Sequence, residues 1–143
     1  MPDRQKMIRQ LRLHEGNELK VYRCTSGKLT IGVGRNLEDR GITDEESAYL
    51  LNNDIDREWK NLTTALPWVT GLNDVRQRVL LDMAFNLGIA GLLKFKNTLA
   101  TMQRGDYALA AEMMLDSLWA KQVGTRAVRL SKMMRTGTDG PIG

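Results

Sequence analysis

The chain has one cysteine and one histidine. The single Cys24 excludes an internal disulfide and any cysteine-cluster metal site, and His14 alone could not build a zinc site without several carboxylates. No metal and no cofactor is expected. No apolar run approaches the roughly 20 residues that span a bilayer, so no stable membrane insertion is expected. The opening MPDRQKMIRQLRLHEG lacks the apolar core of a secretory signal, and the sequence shows no export signal of its own. Gly32 and Gly34 form a G-x-G without the third glycine or the strand-to-helix setting of a dinucleotide site, which excludes that reading.

What is present describes a globular protein. At 143 residues the chain suffices for one domain or two small lobes around a real core, with 42% apolar and 27% charged residues. The net charge of +4 is moderate and favours approach to an anionic surface.

The chemistry gathers between Leu13 and Gly34. Glu15 is a buried-looking acid at the end of a helix read over residues 3 to 14, with Asp3 as its cap and Met7, Ile8 and Leu11 on its apolar side. Two β runs, Leu19 to Tyr22 and Lys28 to Val33, flank a loop with Gly27 at its tip and read as a hairpin. That hairpin could aim Glu15, Cys24 and Thr30 into one cleft: an acid, a soft nucleophile and a hydroxyl. A helix C-terminus and partial burial both disfavour a carboxylate's charge, and a general acid needs the protonated form. A thiol at its ordinary pKa of about 8.5 is mostly neutral at pH 7, and the neighbouring Arg23 could lower it. Gly32 and Gly34 permit close approach by packing neighbours or a sugar ring.

Arg35 to Gly41 reads as a polar loop. Thr43 and Glu46 form a capping box that opens a helix with Ala48, Leu51, Ile55, Trp59 and Leu62 on one face, running to about Ala65 before Pro67. Asn73 caps a core helix ended by Gly88. Shorter helices follow over Gly91 to Phe95, Asn97 to Gln103 and Asp106 to Leu115, with Asn97 and Asp106 as caps. Met102, Met113 and Met114 read as core. Gly124 breaks the chain after Trp119, Thr125 is a candidate cap for the last helix, and TGTDGPIG reads as a loose tail.

The segment resembles the active-site hairpin of the phage-type lysozymes, the muramidase endolysins of glycoside hydrolase family 24. Their pattern is Glu, eight residues, Asp or Cys, five residues, Thr, matched by Glu15, Cys24 and Thr30 together with E-G after the acid and T-I-G-V-G on the second strand. RTGT at Arg135 to Thr138 resembles the family's closing motif, and the likeness covers nearly the whole chain. It implies an α+β, mostly α, lysozyme-like fold. A small N-terminal lobe (about 12–45) with the hairpin would be joined by a linking helix (about 43–66) to a helical C-terminal lobe (about 67–143, with the N-terminal helix). The loop before the linking helix is shorter than in the best-known members.

The resemblance implies hydrolysis of the β-1,4 bond between N-acetylmuramic acid and N-acetylglucosamine in bacterial peptidoglycan, leading to host-cell lysis. Glu15, Cys24 and Thr30 would be catalytic, with Thr30 positioning the attacking water. Gly34, Phe85 and Thr98 would bind substrate, and Arg126 would support Glu15, its charge opposing the effect of burial. A separate holin-type protein would release a monomeric enzyme from the host cytoplasm to the periplasm and cell wall. Two alternatives remain: a lytic transglycosylase on the same substrate, and a non-catalytic protein binding wall or nucleic acid through Arg126, Arg129, Lys132 and Arg135. The latter leaves the hairpin unexplained, and no nucleic-acid partner is expected.

Overall fold

Asp3 starts the first helix as its position predicts, accepting from the Lys6 N–H at 3.0 Å, and α1 runs Arg4–Glu15. The computed structural model describes residues 1–140. They fall into two compact units that divide after Leu50.

In the first unit, β1 (Glu18–Arg23) and β2 (Leu29–Gly32) form the expected antiparallel hairpin, pairing Tyr22 with Thr30 and Arg23 with Leu29. A register irregularity between Glu18 and Tyr22 bends β1. The expected loop from Arg35 to Gly41 is instead ordered. A two-residue strand β3 (Arg35–Asn36) pairs with β2, and a one-turn helix α2 (Leu37–Arg40) follows at once. The physical cause is local. Gly32 and Gly34, at φ 66° and 68°, reverse the chain tightly enough to return Arg35 and Asn36 to β2. Asn36 then caps α2 by accepting from the Asp39 N–H at 3.1 Å.

Helix α3 (Asp44–Ala65) opens with the predicted capping box. The Thr43 hydroxyl accepts from the Glu46 N–H at 3.1 Å, and the Glu46 carboxylate accepts from the Thr43 N–H at 2.8 Å. Of the described residues in the first unit, Thr30 alone is buried.

The second unit holds the core. After α3 a 3₁₀ turn (Pro67–Gly71) leads to α4 (Asp74–Leu93), capped by Asn73 as expected. Gly88 breaks it at φ 73° and ψ 160°, but the helix resumes immediately, not at Gly91. Then come α5 (Lys96–Gln103), α6 (Tyr107–Leu115), α7 (Leu118–Val123) and α8 (Thr125–Thr136), with α8 packed on α4, α6 and α7.

Asp106 caps α6, and Ser117 caps α7. Asn97 does not cap α5: it lies inside the first turn, and Phe95 holds the cap position without a side-chain bond. Gly124, not Thr125, precedes α8.

Leu62, Val79, Leu80, Met83, Leu92, Met102, Met114 and Met134 are fully or almost fully buried, and each such side chain contributes about 1.5–3 kcal/mol of transfer free energy. Met113 is only partly buried, its sulfur accepting from the Thr101 hydroxyl.

The segment after α8 is anchored, not loose. Arg76 donates to the carbonyls of Met134 and Arg135, Asn73 donates to that of Gly137, and Arg78 grips Asp139 with two bonds of 2.9 and 2.7 Å. The last part of the expected tail, 141–143, lies outside the described residues.

Candidate active site

Glu15 is the last residue of α1, and Gly16 turns the chain directly into β1. The side chain is exposed, a correction to the buried acid expected from sequence. The whole helix shares this exposure, since α1 buries none of its residues.

The carboxyl nevertheless has a defined neighbour. A Cβ on Gly34 would lie 2.7 Å from Glu15 Oε2, 3.0 Å from Cδ and 3.1 Å from Cγ. The acid therefore rests against the backbone of the turn after β2, in space that only glycine leaves open. Gly34 is thus placed at the acid's surface.

Thr30, on β2, is 3% exposed. Its hydroxyl donates to the Lys28 carbonyl at 2.9 Å. With its proton so committed, Oγ1 keeps lone pairs free to accept from another group.

Cys24 ends β1's side of the hairpin, and its N–H donates to the same Lys28 carbonyl at 3.0 Å. Its Sγ lies 3.1 Å from the Ser26 hydroxyl. The Ser26 hydroxyl, and then the backbone around Lys28 and Ser26, hold the thiol down at about 7, so thiolate is well populated near neutral pH. Arg23, expected to do this, is turned elsewhere: it donates to the Gly27 carbonyl at 2.9 Å and faces Glu38. The structure thus joins Glu15 to Gly34 by contact, and Cys24 to Thr30 both through Lys28 and by a weaker side-chain hydrogen bond from Thr30. Ser26, which the sequence reading passed over, is the thiol's closest partner. No spacing rule singles out a serine within a hairpin loop.

The remaining candidates lie in the second unit. Phe85 is 44% exposed. It lines a shallow pocket with Leu81, Asp82, Arg126 and Arg129. Arg126 donates through Nε and Nη2 to Asp82 Oδ1 at 2.8 and 2.6 Å. Its charge is therefore balanced locally by a carboxylate that the sequence reading did not consider. Thr98 is 6% exposed and lies at a different pocket, beside Lys96, Asn97 and Asp116.

Among the described residues, no group of three or more His, Cys, Asp or Glu is arranged to hold a metal ion, and no helix is long and apolar enough to cross a membrane.

Comparison with protein families matches residues 12–135 to the one described as Phage lysozyme. The chain belongs to the phage lysozyme family. The matched span contains the whole Glu15, Cys24, Thr30 hairpin, and it makes the chain a lysozyme-type glycoside hydrolase with the mostly helical α+β fold described above.

Two relatives in Dictyostelium discoideum, "Probable T4-type lysozyme 1" and "Probable T4-type lysozyme 2", are 27% and 25% identical, each over 90% of this chain and 92% of the relative. The "Pre-baseplate central spike protein Gp5" of Enterobacteria phage T4 is 31% identical over 92% of this chain, which corresponds to 28% of the spike protein. The chain thus spans little more than a quarter of that relative and nearly the full length of the other two.

Proposed function

We propose that this protein hydrolyses the β-1,4 bond between N-acetylmuramic acid and N-acetylglucosamine in bacterial peptidoglycan. The observation that carries the proposal is the position of the Glu15 carboxyl against Gly34, on the turn that ends the strand bearing Thr30.

Glu15 gives its proton to the glycosidic oxygen as the bond to the muramic acid C1 breaks. Water held by Thr30 attacks C1 from the opposite ring face, and its proton passes to the Cys24 thiolate and on to solvent. A new C1–O bond replaces the old one with inversion, which requires room for water between acid and base. The populated thiolate supports the helper role, and the hydroxyl proton committed to Lys28 leaves Thr30 as an acceptor for water. Gly34, in contact with the acid, borders the sugar path in this reading.

The proposed biological role is lysis of the host cell by a monomer. It would cross from the cytoplasm to the periplasm and wall after a separate holin-type protein opens the membrane. The spike relative favours a second placement for the same chemistry, within a larger particle. Expression inside a bacterium separates the two: the first reading predicts lysis only when the membrane is also permeabilised.

The chemistry is tested by mass analysis of muropeptides released from purified peptidoglycan. Reducing muramic acid ends, lost in Glu15→Gln, are expected. A 1,6-anhydro ring would mean transglycosylation, and lytic turnover retained by Glu15→Gln would remove Glu15 from the mechanism.

A further inference from the structure

The turn that touches Glu15 is held by very little. Strand β3 is two residues long and makes two pairings with β2, Thr30 with Asn36 and Ile31 with Arg35. Such a strand has scant stability of its own. Yet this turn separates Thr30 at one end from Gly34, in contact with the acid, at the other.

A second tether reaches the same point from α3. Arg35 follows Gly34 directly, and its guanidinium forks onto Glu46 with bonds of 2.9 and 2.7 Å while also donating to the Gly41 carbonyl at 3.2 Å. Glu46 simultaneously closes the capping box with Thr43. One carboxylate thus joins the start of a 22-residue helix to the two-residue strand behind the acid's contact. Isolated surface ion pairs contribute little, but a planar fork shared with a helix cap is the geometry in which such a pair fixes position.

We infer that Arg35 and Glu46 form a positioning pair for the glycosidase reaction, holding the Gly32–Gly34 turn so that Glu15 and Thr30 keep their working separation. This rests on the proposed role of Glu15. Neither residue touches the reacting atoms. Both act through Gly34 and the β2–β3 register. The fork also keeps Glu46 ionised down to about pH 2, so the tether persists at any pH at which a wall-degrading enzyme works.

The test is steady-state turnover on purified peptidoglycan, alongside thermal melting, for Arg35→Met, Arg35→Lys and Glu46→Gln. Glutamine at 46 preserves the capping box, which accepts either residue, but cannot make the charged fork. Misplacing a catalytic group by about 1 Å costs up to ~10²-fold in rate. Arg35→Met and Glu46→Gln should therefore lower kcat by roughly 10- to 100-fold with KM within about twofold, in folded protein, and Arg35→Lys should recover part of the loss.

In a Glu15→Gln background, Arg35→Met should lower the residual rate no further. If Arg35→Met and Glu46→Gln melt lower but keep wild-type kcat, the pair is structural and the inference is overturned. If Glu15→Gln itself keeps turnover, the underlying reading of the acid falls instead, and the two failures are thereby distinguished.

Discussion

Gly34→Ala should reduce turnover more than it reduces stability, and the structure says why the two effects separate. Gly34 sits at φ 68°, where an added Cβ costs about 1–2 kcal/mol of backbone strain. For a domain of this size that is a fall in Tm of roughly 3–8 °C. The same Cβ would stand 2.7 Å from Glu15 Oε2, whereas ordinary contact begins at 3.4 Å. The carboxyl ends a flexible side chain, so it can retreat with little further loss of stability.

Its retreat matters for the chemistry. The Cγ at 3.1 Å and Cδ at 3.0 Å are crowded too, so the whole acid is displaced and not only its tip. A shift approaching 1 Å costs up to ~10²-fold in rate. The assay is kcat on purified peptidoglycan, measured well below the melting temperature, with a melt recorded on the same sample. A variant that loses the expected few degrees yet keeps its kcat would refute the claim that Gly34 holds the acid in place.

Alkylation of Cys24 by iodoacetamide should rise with pH to half its maximum near 7, and Ser26→Ala should move that midpoint upward, because the Ser26 hydroxyl is the largest cause of the lowered value. A midpoint near the ordinary 8.5 in the unaltered protein would contradict the hydrogen-bonded geometry. Glu46, lowered from 4.5 to about 2 when folded, adds stability that is fully present above 4.5 and lost as pH falls toward 2. Melting temperature should therefore decline across that window, less steeply in Glu46→Gln and less steeply in high salt. An identical decline in both proteins at low salt would show that the Arg35 fork is not formed in solution.

The sequence disclosed what is encoded locally. Thr43 with Glu46, Asn73 and Asp106 cap where their side chains say they should, because a cap needs only a polar oxygen two or three residues before a free N–H. The hairpin followed from its two β runs, and the family's spacing brought Glu15, Cys24 and Thr30 to notice.

What stayed hidden depends on partners far along the chain or on backbone geometry. Arg78 and Asp139 are 61 residues apart, so nothing local showed that the C-terminal segment is gripped. Arg126 finds Asp82 across 44 residues. Arg35 to Gly41 looked like a loop because its residues are polar, yet two glycines at positive φ suffice to fold it back as β3 and α2. Asn97 and Thr125 are good capping residues placed two positions and one position past the cap of their helices, offsets that composition does not resolve.

The measurement that tests the central claim most directly is the anomeric configuration of freshly released products, followed by NMR before mutarotation. Water held by Thr30 on the face opposite Glu15 predicts muramic acid ends that appear first in the α configuration. Products that appear first in the β configuration would contradict it, and would make Cys24 a covalent nucleophile in place of a helper to water.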